Sequence, residues 1–376
     1  MKFSTSKTEL LIALQKLSKA TPTRSTLPIL SCVLIKATNE KTLLKATDLE
    51  LTIELEISVS IEEEGEAAIP LKQLYDITNE LQETRVTISV NNKNKVEIST
   101  NSGLYDLMGK QKEEFPSTPE IKNTNKIDIE AKTLKNIINS TLFAVSKDDL
   151  KPSLTGVLLR FNSNGLTAVS TDGHRLVKYE ISDYKNKNFN GDVVVPKKFF
   201  SYLLNSLSDE KTILSIGDNY LTAEINQDKI ITRTIGENFP DYESVIPKDN
   251  NKHLKIDKKV LFGAIKRVSI FSNKSTHQIA FDIKKDSVFI TTEDPESSSR
   301  AKEEVIAEYD GEEIKIGYNG EYLKDIINHF NEETVLIKLN TPISATIFVS
   351  NNKDKKDEKT MLLMPVRLNN WKTKKK

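Results

Sequence analysis

Ser170-Thr171-Asp172-Gly173-His174-Arg175-Leu176 lies between two runs of alternating apolar residues, Gly165-Leu166-Thr167-Ala168-Val169 and Val177-Lys178-Tyr179-Glu180-Ile181. An Asp-Gly pair between two such runs predicts a β-hairpin, because glycine enters the φ > 0 region without steric penalty. The stretch has relatives in the same chain. Ala46-Thr47-Asp48-Leu49-Glu50-Leu51 resembles it, and Thr291-Thr292-Glu293-Asp294-Pro295-Glu296 does so more faintly. The three aspartates, at 48, 172 and 294, are 124 and 122 positions apart, and Phe115-Pro116 and Phe239-Pro240 repeat the 124-residue spacing. A chain of 376 residues with this interval holds three units of ordinary domain size. The period is far longer than the roughly 20–50 residues of a solenoid repeat.

Each unit reads in one order: strand, helix, three strands, a second helix and further strands. In the first unit, Ser6 and Glu9 make a capping-box pattern ahead of Leu10, Leu14 and Leu17, and Pro22 ends the helix region. Strands are predicted over 29–37, 42–48 and 51–59, and Pro70 followed by Leu74, Ile77 and Leu81 marks the second helix. In the second unit the helices begin at Thr133 and at Val195-Pro196-Lys197-Lys198, with strands over 157–161, 166–170 and 177–181. In the third, helices run over 257–268 and 319–327, strands cover 335–339 and 345–350, and 361–368 closes the last sheet. The charged stretch 351–359 reads as a flexible insertion. Polar breaks at 122–126 and 248–252 give expected domains of 1–122, 126–248 and 252–368, followed by a basic tail, 369–376.

The chain carries 54 basic and 54 acidic residues, so it does not coat nucleic acid with a wholly basic surface. The charge is nevertheless uneven. The six predicted helix windows (6–19, 70–81, 132–147, 196–207, 257–274 and 319–330) hold fifteen basic and six acidic residues, leaving the remainder of the chain acidic. Six helices on one surface would make that surface basic, although charge on any one helix also reads as a solvated face. No apolar run approaches the ~20 residues of a membrane helix, and no signal-peptide core follows Met1, so a cytoplasmic location is expected. The one cysteine, Cys32, lies in an apolar run and reads as a small buried hydrophobe. Asp48, Asp172 and His174 can be imagined as a hydrolytic set, but Asp172-Gly173-His174 reads as a turn and neither other copy has a histidine. With four histidines, one cysteine and no Gly-x-x-x-x-Gly-Lys loop, no catalytic site, metal or cofactor is expected.

Several strings together point to one family: Met1-Lys2-Phe3, Arg24 ahead of Thr26-Leu27-Pro28-Ile29-Leu30, Thr47-Asp48-Leu49-Glu50, Ala144 before the loop to Leu154, Thr171-Asp172-Gly173-His174-Arg175-Leu176, Phe239-Pro240-Asp241-Tyr242 and Met364-Pro365-Val366-Arg367-Leu368. Spread in order over nearly the whole chain, they resemble the bacterial DNA polymerase III beta subunits, the replicative sliding clamps. The resemblance implies an α+β chain of three repeated DNA clamp domains, helices on one face of antiparallel sheets, forming a head-to-tail homodimeric ring. Twelve helices ~10 Å wide would close a ring with a lumen of roughly 28 Å. Duplex DNA would pass through it, held by its phosphates without base readout. Such a ring tethers the replicative polymerase for processive synthesis, and it has no active site. A monomeric peptide-binding scaffold that never encircles DNA is the alternative.

The resemblance also assigns residues. Double-stranded DNA would meet Arg24, Lys72, Lys151, Ser153, Lys197 and Lys198. Pro152-Ser153 stands where other members carry an aromatic pair, which leaves Lys151 as the main contact of that loop. A partner-peptide pocket would comprise Leu154, Thr171, Gly173, His174, Arg175, Leu176, Pro240, Val245, Leu362, Met364, Pro365, Val366 and Arg367. Methionine and aliphatic groups there suit many ligands, and Arg175 and Arg367 would orient a peptide's polar groups. Without the resemblance, Leu176 and Val245 read as core. The expected ligands are short hydrophobic motifs of the replicative polymerase alpha subunit, the clamp-loader delta subunit and repair and translesion polymerases. The ring interface would use Tyr105 and Leu107 on one side and Ile270 and Phe271 on the other, with ion pairs from Glu293, Asp294 and Glu296.

Overall fold

The computed structural model describes residues 1–22, 24–163, 165–186, 188–207, 211–349 and 357–368. The tail 369–376 and residues 351–356 of the predicted insertion lie outside the described residues. The described residues contain six α-helices: α1 (Lys7–Leu17), α2 (Leu71–Glu80), α3 (Ala131–Thr141), α4 (Lys197–Ser206), α5 (Lys258–Ser269) and α6 (Gly320–Asn328). None is long and apolar enough to cross a membrane.

Local chemistry sets where these helices start. Ser6 Oγ accepts from the Glu9 amide at 3.1 Å and caps α1. Only half of the predicted capping box forms, because a Glu9 carboxylate oxygen accepts from the Ser58 amide instead, at 3.2 Å. Pro70 ends the strand Gly65–Pro70 and sits at the cap of α2, where a missing N–H costs no helical hydrogen bond. Asp257 and Asn319, expected inside their helices, are the caps: Asp257 accepts from the Val260 amide, and Asn319 from the amides of Glu321 and Tyr322.

By compactness the chain forms two units, Met1–Leu134 with Lys198–Thr234, and Lys135–Lys197 with the residues from Ile235 onward. The first contains a five-stranded sheet in the order Ser60–Glu63, Lys2–Ser6, Arg85–Val90, Lys95–Ser99, Leu104–Met108. It also contains an eight-stranded sheet: Asn125–Glu130, Lys211–Ile216, Tyr220–Ile225, Asp228–Arg233, Leu51–Ile57, Thr42–Thr47, Cys32–Ala37, Gly65–Pro70. The second unit has a nine-stranded sheet: Gly191–Pro196, Gly156–Asn162, Gly165–Thr171, Arg175–Ile181, Asp357–Leu363, Thr346–Val349, Thr334–Leu339, Lys252–Asp257, Glu308–Tyr309. Its four-stranded sheet runs Ser299–Ile306, Ser287–Asp294, Gln278–Ile283, Ile314–Asn319. Helices seal these sheets by burying one stripe each. α1 contributes Leu10, Ala13, Leu14 and Leu17, and α5 contributes Leu261, Ala264, Ile265 and Val268. Each fully buried leucine or isoleucine supplies about 1.5–3 kcal/mol.

Four further sequence expectations change. Gly65–Pro70, Gly191–Pro196 and Ile314–Asn319 are strands that run directly into a second helix. The sequence assigns Pro70, Pro196 and Asn319 to helix starts and so hides the strands before them. Pro28 turns the chain into a short 3-10 helix, Pro28–Ser31, so the predicted strand 29–37 begins at Cys32. At the far end, residues 357–359 of the predicted insertion belong to the strand Asp357–Leu363, which pairs with Arg175–Ile181 in the register Arg175 to Leu363 and Ile181 to Asp357. Residues 364–368, expected to close that sheet, instead reach the four-stranded sheet, through a bridge between Val366 and Gly317.

Candidate functional site

The hairpin at 171–176 is closed by side chains. Thr171 and Leu176 pair across it. Asp172 Oδ1 accepts from the His174 and Arg175 amides, each at 3.0 Å. Thr171 Oγ1 accepts from the Gly173 amide at 3.1 Å and donates to the Arg175 carbonyl at 2.7 Å. Gly173 sits at φ +87°. The turn at 47–52 repeats every one of these bonds: Asp48 Oδ1 accepts from the Glu50 and Leu51 amides, and Thr47 Oγ1 accepts from Leu49 and donates to the Leu51 carbonyl. The residue at φ +77° is then Leu49. The third copy differs. Asp294 stays in its strand opposite Ser299, and the turn moves beyond it.

Arg175 is the centre of the second turn. Its buried guanidinium donates to Asp172 Oδ2 at 3.1 Å, to Asp325 Oδ2 on α6 at 2.6 Å and to the Phe143 carbonyl at 2.8 Å. It lies over the rings of Tyr322 and Phe143, 4.7 and 5.3 Å from their centroids. His174 stacks on the same Tyr322 ring at 5.6 Å, and the His174 carbonyl accepts from the Met364 amide at 2.8 Å. Arg175 therefore fastens the turn to α6, and the expectation that it orients a peptide gives way to this internal role. Tyr322 and Asp325 are the residues sequence reasoning missed. Their one signal is the i, i+3 spacing that puts both on one face of α6.

Leu176 and Leu362 stand opposite each other on paired strands. They are buried with Leu158, Val169, Val194, Tyr242 and Ala345, while Phe239, Ile235 and Ile246 pack at the margin of this cluster, half-buried. Leu154 is buried in the 3-10 turn Pro152–Leu154. Thr171 is buried and spends its hydroxyl on the turn. Val245, which also reads as core, is 51% exposed, and Met364 is 41% exposed. Pro240 is exposed, Pro365 and Val366 are half-buried, and Arg367 is exposed with its carbonyl accepting from Gln278 Nε2 at 2.9 Å. The combination is a buried apolar floor with exposed aliphatic and thioether groups on neighbouring segments of chain.

Of the cations expected to meet DNA, Arg24 and Lys151 are exposed and make no ion pair among the described residues. Ser153 is half-buried in the turn with Leu154. Lys72 pairs with Asp76 one helical turn on, at 2.6 Å, an exposed contact worth little. Lys197 is half-buried, and burial, with Lys147 and Arg175 nearby, pushes its ammonium below the ordinary lysine value. Lys198 is not a free cation: it is bound to Asp48 Oδ2 of the first turn, and burial lowers its ammonium as well.

Two terminal strands carry or adjoin the residues expected at the ring interface. Leu104–Met108 is terminal in the five-stranded sheet, with Tyr105 and Leu107 half-buried and Leu104, Asp106 and Met108 exposed. Ser299–Ile306 is terminal in the four-stranded sheet, with Arg300, Lys302, Glu304 and Ile306 exposed. Ile270, 77% exposed, and Phe271 follow α5, and Ser299 Oγ donates to the Phe271 carbonyl at 3.2 Å, which places the pair beside that edge. Glu293 and Glu296 are exposed. Asp294 is buried and accepts from Ser297 Oγ and Asn273 Nδ2, bonds that hold its carboxyl below the usual carboxylate range. It builds its own turn, which leaves Glu293 and Glu296 as the exposed members of the expected acidic set.

Comparison with known proteins gives one consistent result. Three family descriptions match in succession: DNA polymerase III beta subunit, N-terminal domain, over residues 1–119; central domain, over 128–241; and C-terminal domain, over 243–367. A beta sliding clamp from Pseudomonas putida is 30% identical over 374 residues, 98% of this chain and 100% of that protein. One from Chlamydia pneumoniae is 28% identical over 369 residues, covering 98% and 99%. The crystal structure of a sliding clamp from Bartonella birtlesii superposes with a TM-score of 0.92 at 26% identity, covering 98% of this chain and 100% of that one.

Proposed function

The chain belongs to the DNA polymerase III beta subunit family, and from that premise we propose how its own residues perform the work of a sliding clamp. Membership fixes the coarse statement. The chain has the three-domain clamp fold, acts in DNA replication with DNA and polymerase as partners, and is a processivity factor with no chemistry of its own. The domains meet at 122–126 and 248–252. Two copies close head to tail, the edge Leu104–Met108 of one lying along the edge Ser299–Ile306 of the other, with Ile270, Phe271, Glu293 and Glu296 beside the joint. The observation that carries this reading is that both strands are terminal in their sheets and hold or adjoin the expected interface residues, since a closed ring of identical copies needs a free edge at each end of the chain.

Duplex DNA passes through the ring. Arg24, Lys151 and Lys197 meet its phosphates first, and Lys72 and Lys198 join only by releasing Asp76 and Asp48. Contacts of this kind exchange readily and hold no sequence information, so retention comes from closure. Short hydrophobic motifs of the polymerase alpha subunit, the clamp-loader delta subunit and repair and translesion polymerases seat over Leu176 and Leu362, flanked by Val245, Met364, Pro365 and Val366. Protein loaded on nicked circular DNA should stay bound and should run off the ends once the circle is cut. Equal retention on circles and on free-ended molecules would defeat the reading. Sedimentation as a monomer at micromolar concentration would instead favour a peptide scaffold that never encircles DNA.

A further inference from the structure

A cavity of about 790 Å³ lies between α1 and α4, outside every residue set assigned above except for Lys198. Its cationic lining is Lys16, Lys19 and Lys198. Lys16 is held by Asp228 Oδ2 at 2.5 Å and Lys198 by Asp48 Oδ2. Each of these carboxylates occupies one of three ammonium donors and fixes where the charge sits. Lys19 is exposed and makes no ion pair among the described residues. The wall also contains Tyr202, 7% exposed, whose hydroxyl has no hydrogen-bond partner among the described residues. Burial pushes that phenol up to about 12, so it is a proton donor at neutral pH. Ser206, also in the lining, donates its hydroxyl to the Tyr202 carbonyl at 3.1 Å.

A buried hydroxyl without a partner costs free energy until a ligand accepts its proton. Three ammonium groups and a phenol converging on one space specify an anion, and phosphate oxygens fit such donors. The space is several times larger than a phosphate needs and lies in the range of small-molecule sites. Ile12 and Leu51 supply an apolar wall, and Gln15 and Asn205 supply amides suited to a heterocycle's edge. We propose that the cavity between α1 and α4 is a nucleotide site, with the phosphates on Lys16, Lys19, Lys198 and the Tyr202 hydroxyl. The inference is independent of ring closure.

The test is calorimetric titration of the full chain with ADP, adenosine and inorganic phosphate. ADP should bind with a dissociation constant below about 1 mM, phosphate more weakly, and adenosine undetectably. Lys19→Gln should weaken ADP about tenfold, and Tyr202→Phe at least about threefold without lowering the melting temperature. Failure of ADP to bind, adenosine binding as tightly as ADP, or the same ADP affinity in both variants would overturn the assignment. Displacement of ADP by a short duplex would also overturn it, identifying the occupant as a DNA backbone phosphate.

Discussion

At 47–52 and at 171–176 the chain closes a hairpin with the same four bonds to a threonine hydroxyl and an aspartate oxygen, yet the second aspartate oxygen meets different cations. Asp48 holds Lys198, a compact charge reached through one ammonium group. Asp172 holds Arg175, whose planar fork also reaches Asp325 and the Phe143 carbonyl and lies between two rings. The backbone of such a turn is therefore set by local bonds, and the spare oxygen decides what the turn is attached to. Lysine gives a single exchangeable tether, whereas arginine gives a rigid fastening.

Replacing the two cations should separate the turns most widely. Arg175→Ala is expected to cost about 3 kcal/mol in denaturant unfolding, because it removes a buried guanidinium that serves Asp172, Asp325 and the Phe143 carbonyl together. Lys198→Ala is expected to cost under about 1 kcal/mol, as for a partly exposed pair. Equal losses would break the contrast. Peptide affinity, measured separately, should fall only in the first variant. A smaller effect comes from the left-handed residue. Gly173→Ala should destabilise by about 1 kcal/mol through its φ of +87°, since the added methyl group meets nothing. Leu49→Gly should gain up to about 1 kcal/mol, because relief of a strained leucine outweighs the added freedom of the unfolded chain. A loss on Leu49→Gly would show that the leucine side chain is needed for contacts.

The smallest expected difference is in pH response. His329 stacks on Phe143 at 3.8 Å, and burial pushes its imidazole below the ordinary histidine value; Lys359 and Arg175 act in the same direction, and Asp325 against them. The folded ring then holds a proton less well than the unfolded one. Its contribution is complete above about pH 6.5 and is lost as pH falls through the folded value. All four histidines lie at or beyond position 174, and none is in 1–134 or 198–234. From about pH 7.5 to about 5.5, amide protection around Arg175, taken relative to the intrinsic exchange rate at each pH, should fall, and protection at 47–52 should not. Equal loss of protection at both turns, or a response that survives His329→Gln, would assign the effect to other groups.

What the sequence makes legible follows from how local the physics is. The hairpin, the helices and the repeat depend on neighbours a few positions apart, so their periodicity is readable. Arg175 reaches partners 150 and 32 residues away, which no spacing rule reveals. Leu49 hides a left-handed turn because leucine rarely adopts one, and only its alignment with Gly173 points there. The strands ahead of α2, α4 and α6 are masked by the helix-start residues that end them. Leu176 reads from sequence as plain core, and only the family resemblance nominates it, with Leu362, as the floor of a peptide pocket.

The open strands Leu104–Met108 and Ser299–Ile306 also make each solitary copy a hazard to its neighbours. Until it meets its twin, a newly made protomer offers backbone templates to any passing chain. The charged residues Arg300, Lys302 and Glu304, at every second position, discourage strangers on one side, whereas Leu104 and Met108 on the other have Asp106 as the one charge between them. A lesion at either border would thus be felt first as clumping of orphan subunits, before any slackening of the assembled circle.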